Sequence, residues 1–173
     1  MSVKYKVGIV MGSDSDYEIM AEAAKALREF DIEFEMTVAS AHRSPERAGK
    51  WARTARDRGL CCLIAGAGAA AHLAGVLAAE TTLPVIAVPI DATSLNGLDA
   101  LLAMVQMPAG IPVATMALGK AGARNAGLFA VQMLAAGDAT LAGRLADFRK
   151  QMAQGVEEKA MRLESRLKQD GLA

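Results

Sequence analysis

The run Val7-Gly-Ile-Val-Met11 carries no polar side chain and gives way at once to Gly12-Ser-Asp-Ser-Asp16. A short, nearly continuous apolar run closed by turn residues marks a strand buried on both faces, as in a parallel sheet. From Asp16 the period becomes helical: Met20, Ala24, Leu27 and Phe30 share one face, with Glu22, Lys25, Arg28 and Glu29 mostly on the other. One β-loop-α unit is therefore complete by Phe30.

The pattern recurs. Phe34, Met36 and Val38 alternate as a second strand, and Ser44-Pro45 supplies an N-cap and a first-turn proline for a helix running to about Arg58, with Gly59 as its stop. Leu60 to Ala65 is the third strand, about Ala70 to Glu80 a short helix, and Leu83 to Val88 the fourth strand. A helix over Gly97 to Val105, a fifth strand over Ile111 to Ala117 and an Ala-rich helix over Gly122 to Ala135 complete the alternation. Such alternation predicts a parallel five-stranded sheet with right-handed crossovers and helices on both faces. With no linker-like break in 173 residues, one domain is expected: a catalytic α/β core over about 5–136 and a helical extension over about 138–170. The last stretch is highly charged with a narrow apolar stripe, which suits a helix that projects or packs on a neighbouring subunit.

Lysine plus arginine equals aspartate plus glutamate at 19 each, so no long-range field gathers nucleic acid or an anionic membrane. Adjacent Cys61 and Cys62 point to opposite faces of a strand and signal neither a disulfide framework nor a metal cluster. The stretch Met1 to Lys6 lacks a signal-peptide hydrophobic region, and no apolar segment is long enough to span a bilayer, so a cytoplasmic protein is expected. Hydrophobic residues make up 53% with only 4% aromatic, which fits either a tightly packed Ala-rich core or apolar surface buried between subunits.

Ligands of open α/β sheets sit outside the carboxyl ends of the strands, so chemistry is sought in the loops there. After the first strand, Gly12, Ser13, Ser15 and Asp16 lead into a helix start that favours an anion, and Asp16 suits a ribose diol; as a lone cluster the run is also an ordinary N-cap. After the second, Ser40-Ala-His-Arg43 places a proton carrier of near-neutral intrinsic pKa, His42, beside the fixed cation Arg43; from the residues alone, catalysis and local backbone bonding stand as equal alternatives. After the third, Gly66-Ala-Gly-Ala-Ala-Ala71 leaves backbone N–H groups bare for a carboxylate or phosphate. That loop also matches a loose dinucleotide fingerprint, with Asp91 near the downstream acidic position, although the fingerprint ordinarily follows a first strand. His72 reads as a packing or loop-orienting histidine. No protein-held metal, P-loop or nucleophile elbow is indicated.

Taken together, MGSDSD, SAHRSP, AGAGAAAHLAG and VQMPAGIPVATMALGKAGARNA resemble the class I form of the phosphoribosylaminoimidazole carboxylase catalytic subunit family, the N5-carboxyaminoimidazole ribonucleotide mutases of purine biosynthesis. The resemblance covers about residues 5–150. It implies a three-layer αβα sandwich of flavodoxin-like, Rossmann-like type and a homo-octamer. It also implies an isomerase that moves a carboxylate from the exocyclic amine to the imidazole carbon without cofactor, metal or ATP. A direct CO2-dependent carboxylation of aminoimidazole ribonucleotide, as in class II, is the alternative. The resemblance gives His42 the acid/base role and assigns Ser13, Ser15 and Arg43 to the 5'-phosphate, Asp16 to the ribose and Ser40-Ala41 to the base. Gly66, Gly68, Ala69 and His72 belong with the carboxylate-binding loop, and Gly12 with the phosphate loop. The chain departs from the family at Ala69, usually glycine, and at Ala74, usually proline. It also implies functional coupling to a separate ATP-dependent N5-carboxyaminoimidazole ribonucleotide synthase.

Overall fold

The computed structural model describes residues 5–172. Met1 to Lys4, where the expectation about a leader falls, lie outside the described residues. The chain divides into two compact units, one reaching to Leu134 and one from Ala135 onward.

The first unit is a parallel sheet. Its strands are β1 (Lys6–Met11), β2 (Glu33–Val38), β3 (Leu60–Gly68), β4 (Val85–Ile90) and β5 (Ala114–Thr115), in the spatial order β2-β1-β3-β4-β5. Every neighbouring pair is parallel. This is the flavodoxin-like order, in which successive crossovers from β1 and β2 leave on opposite faces and a crevice opens at the carboxyl end between β1 and β3.

The helices of this unit are α1 (Tyr17–Glu29, after a single 3-10 turn over Asp14–Asp16), α2 (Pro45–Arg53), α3 (Leu73–Glu80), α4 (Leu98–Val105) and α5 (Gly119–Ala135). Ala48 and Ala52 of α2, Leu73 and Leu77 of α3, and Ala100 and Met104 of α4 form one buried layer with Leu63, Ala65, Val85 and Ala87 of the sheet. The alternate strand residues Ile9, Ile64, Ile86 and Val88 are equally buried on the other side, where α1 and α5 lie. Small residues let α1 and α5 approach closely: a side chain at Gly127 would stand 2.6 Å from the Ala23 carbonyl. The abundance of alanine is thus spent in the core. Gly8 plays the same part for α2, since a Cβ there would lie 2.8 Å from the Trp51 ring.

Helix α3 begins at Leu73 rather than near Ala70, and α2 and β5 are also shorter than the sequence predicts. Helix α2 ends at Arg53 rather than near Arg58, because Arg58 turns back and its guanidinium donates to the Trp51 carbonyl and the Thr54 hydroxyl, giving the freed helix end partners outside the helix. Gly59, at φ 79°, then makes the turn into β3. Strand β5 pairs with β4 only at Ala114 and Thr115. In contrast, β3 runs to Gly68, three residues past its expected end at Ala65, because β4 pairs with it through Gly68.

The second unit is a single long helix, α6 (Ala139–Gln169), begun by Asp138, whose side chain accepts from the Leu141 N–H at 3.0 Å. Met152, Val156, Met161 and Leu163 on it are exposed. Among the described residues no helix is long and apolar enough to cross a membrane.

Candidate active site

Loops after β1, β2 and β3 converge on one cavity of about 330 Å³ at the carboxyl edge of the sheet. The first contributes Gly12, Ser13, Ser15 and Asp16, the second Ser40, Ala41, His42 and Arg43, and the carboxyl end of β3 with the loop after it Ala67, Gly68, Ala69 and Ala70. A smaller neighbouring cavity of about 250 Å³ shares Gly12, Ser13, Ser40 and Arg43. Volumes of a few hundred Å³ suit a small molecule.

The first loop is held by its own side chains. Ser13 caps the 3-10 turn, and the Asp16 carboxylate accepts from the Ser13 N–H at 3.2 Å, forming a reciprocal capping box. The Ser15 hydroxyl donates to Ser13 Oγ at 2.9 Å. Asp16 is the one buried charged residue among the described residues, 8% exposed. Burial lifts its carboxyl above the ordinary aspartate range; hydrogen bonds from Ser13 and Ser15 and the charge of Arg43 offset part of that rise.

In the second loop, Ser44 stands at the N-cap position of α2 but makes no side-chain cap. Its hydroxyl instead accepts from the Ser40 N–H at 2.9 Å and donates to the Ser40 carbonyl at 3.2 Å, while the Arg43 N–H donates to Ser40 Oγ at 3.1 Å. The Ser40 to Ser44 turn is therefore closed on itself, with His42 and Arg43 projecting from it. The Arg43 guanidinium crosses to the first loop and donates to the Gly12 carbonyl at 2.9 Å.

The third loop turns sharply at Ala69, whose φ of 51° lies in the left-handed region that favours glycine. Ala69 is exposed, and its Cβ strains the backbone at this φ whatever the space around it. Contacts from Ala71 N–H to the Ala69 carbonyl and from His72 N–H to the Ala70 carbonyl, both 2.8 Å, tighten the turn. A side chain at Gly68 would stand 2.5 Å from Ala92, which is how the loop after β4 comes to share the cavity wall.

Of the residues singled out in the sequence, Gly12, Ser13, Ser15, Asp16, Ser40, Ala41, His42, Arg43, Gly68 and Ala69 line this one cavity. Gly66 does not. It is buried inside β3, its carbonyl accepts from the Gly12 N–H at 3.1 Å, and the Met20 thioether fills the space a side chain would need. His72 is likewise outside the lining, but its Nδ1 lies 3.0 Å from Nε2 of His42, the rings nearly perpendicular at 81°. Ala74 is buried in the α3 layer. Ala67 and Ala70 belong to the bare-backbone loop read in the sequence, whereas Leu73 and Ala92 line the cavity without having been anticipated; apolar side chains carry no chemical signal in a sequence.

The glycines of the loose dinucleotide pattern belong to the strand itself: β3 extends through Gly68, and α3 begins only at Leu73. They do not form the turn at a helix N-terminus on which a pyrophosphate would rest. Asp91, the acidic residue of that pattern, is absent from the cavity lining. No group of three or more His, Cys, Asp or Glu among the described residues could hold a metal ion.

The family model for AIR carboxylase matches residues 6–155. The chain is 53% identical over 163 residues to an N5-carboxyaminoimidazole ribonucleotide mutase of Pyrococcus horikoshii, covering 94% of this chain and 91% of that one. It is 54% identical over 159 residues to the mutase of the same name from Mycobacterium tuberculosis, covering 92% and 90%. Among solved structures it is similar to Treponema denticola PurE, with a TM-score of 0.83 at 27% identity, over 92% of this chain and 99% of that one.

Proposed function

The chain belongs to the AIR carboxylase family, and on that premise we propose that it is an isomerase of purine biosynthesis, converting N5-carboxyaminoimidazole ribonucleotide to 4-carboxyaminoimidazole ribonucleotide. The observation that carries the site assignment is the meeting of His42, Arg43 and Asp16 on a single cavity at the sheet's switch point. Arg43, with the hydroxyls of Ser13 and Ser15, takes the 5'-phosphate; Asp16 takes the ribose diol; Gly12, Ser40 and Ala41 border the nucleotide. The backbone at Gly68 and Ala69 holds the migrating carboxylate, with Gly66 supporting the loop from beneath.

The reaction requires one proton and returns it. As the carbamate C–N bond breaks, its electron pair stays on nitrogen, which takes a proton from His42, and CO2 is freed. An electron pair of the ring carbon then forms the new C–C bond to CO2, and that carbon's proton passes back to His42. One histidine therefore completes the cycle with no net consumption, and no cofactor enters the proposal.

We also propose assembly into a homo-octamer. Leu95 and the α4 residues Leu98, Leu102 and Val105 are each about half exposed, at 59%, 53%, 47% and 52%, and subunit contacts would cover this stripe. A cytoplasmic setting and supply of the substrate by a separate ATP-dependent N5-carboxyaminoimidazole ribonucleotide synthase complete the reading. The deciding assay compares turnover of N5-carboxyaminoimidazole ribonucleotide with that of aminoimidazole ribonucleotide plus bicarbonate. Faster turnover of the carbamate is expected; saturable use of bicarbonate alone would make the chain a direct carboxylase. Light scattering of the purified protein tests the octamer.

A further inference from the structure

His72 and His42 are the only histidines in the chain, and their rings meet at 3.0 Å, Nδ1 of one against Nε2 of the other. His42 lines the cavity and His72 does not. His72 is held from behind: it occupies the N-cap position of α3, its carbonyl accepts from the Val76 N–H at 3.0 Å, and its side chain makes no cap bond. That leaves the imidazole free to face His42.

Two facing imidazole nitrogens at this distance hold one proton between them; two protons would set N–H against N–H, and none would set lone pair against lone pair. Nε2 of His42 is thereby committed to its neighbour, which leaves Nδ1 for the cavity. We propose that His72 is a positioning residue for the reaction. Its Nδ1 accepts the Nε2 proton of His42, keeps neutral His42 in the form whose Nδ1 is bare, and so makes Nδ1 the atom that exchanges a proton with substrate. When Nδ1 gains a proton from the ring carbon, the contact becomes a hydrogen bond from a cation and holds the imidazolium in place. When Nδ1 gives its proton to the carbamate nitrogen, the pair returns to its neutral form. The charged residues that line the cavity with His42 are Arg43, adjacent in the loop, and Asp16. The logic is that of a base whose partner fixes its tautomer and orientation, and it rests on the reading of His42 as proton carrier.

The test replaces His72 by Ala, Asn and Gln in the full-length protein. Asparagine puts an amide atom where Nδ1 stands; glutamine puts it one bond farther out. We expect His72→Ala to lower kcat roughly 10- to 100-fold, the worth of one hydrogen bond to a charged group, with KM within about twofold of wild type. His72→Asn should restore most of kcat and His72→Gln should not. In the 15N spectrum of wild-type protein, neutral His42 should show a protonated Nε2 and a bare Nδ1. Unchanged kcat in His72→Ala with a raised KM would make His72 a substrate-binding residue and overturn the proposal. So would equal failure of Asn and Gln, or a protonated Nδ1 on neutral His42; the wild-type spectrum decides alone if the variants do not fold. A His42→Asn enzyme that retains turnover sinks the underlying reading, whereas a dead His42→Asn beside a fully active His72→Ala sinks only this one.

Discussion

Arg43, on the loop after β2, donates from its guanidinium to the carbonyl of Gly12, on the loop after β1, at 2.9 Å. The contact clamps two loops of the cavity together and uses only part of the planar guanidinium's donor set. Arg43→Ala removes both the clamp and the fixed charge. KM for the nucleotide should rise by roughly 10- to 100-fold, equivalent to about 1.5–3 kcal/mol, with a smaller change in kcat. Steady-state kinetics check this; an unchanged KM would mean that the guanidinium does only the clamping.

His42→Asn should leave the melting temperature within a few degrees of wild type, since the side chain is exposed and the Ser40 to Ser44 turn closes without it. Turnover should fall by at least about 100-fold, the scale of general acid/base catalysis. Binding of the nucleotide, followed by calorimetry, should be nearly preserved.

Asp16 carries a conflict between fold and site. Its carboxyl is raised by burial, so the folded chain binds its proton more tightly than the unfolded chain does. Ionisation of Asp16 therefore costs stability as pH rises through its folded pKa, and the cost vanishes below the ordinary aspartate value. Asp16→Asn mimics the protonated form. It should melt no lower than wild type at neutral pH, with the difference closing as the pH is lowered to the ordinary aspartate range. The same substitution should weaken nucleotide binding about 10-fold or more through the ribose contact. Thermal melts against pH, paired with titration calorimetry, separate the two effects.

Glu35 runs the opposite way. Burial pushes its carboxyl up, but hydrogen bonds and charges from Arg58 and Lys6 outweigh that and hold it below the usual glutamate range. It accepts from Lys6 Nζ, Arg58 Nε and Trp51 Nε1, each at 3.0 Å, joining β1, β2, α2 and the turn that leads into β3. A lowered folded pKa adds stability above the unfolded value, and that stability is lost as pH falls through the folded one. Glu35→Ala should cost about 1–3 kcal/mol at neutral pH and less in acid, by denaturant melts.

Cys62 is buried in β3 and its thiol is pushed up to about 12 by that burial. The thiolate is the reactive form, so iodoacetamide at pH 8 should leave Cys62 unmodified in the native protein and label it once denaturant is added. Peptide mass mapping reads the result.

The central strands were legible because β1, β3 and β4 are apolar runs, and burial on both faces demands that composition, as Val7 to Met11 shows plainly; β2, at an edge, was legible from its alternation instead. The three loops were legible for a related reason, since a parallel sheet must leave its strands at one edge. Element ends were less so. The early stop of α2 at Arg53 follows from where the Arg58 guanidinium lands, and β5 keeps only the two residues that pair with β4.

What the amino-acid sequence determined by itself is the order of strands and helices, the identity of the charged and titratable groups, and their placement in loops at one edge. Those are properties of adjacent residues and of side-chain periodicity. Only the tertiary structure decided which of these groups meet. It brought His72 to His42 across thirty positions, set Gly66 beneath the cavity instead of in its wall, turned the Ser44 hydroxyl from the helix to Ser40, and admitted Ala92 from the loop after β4. Contacts between segments far apart in the chain depend on strand register and crossover direction, and no local pattern of residues encodes either.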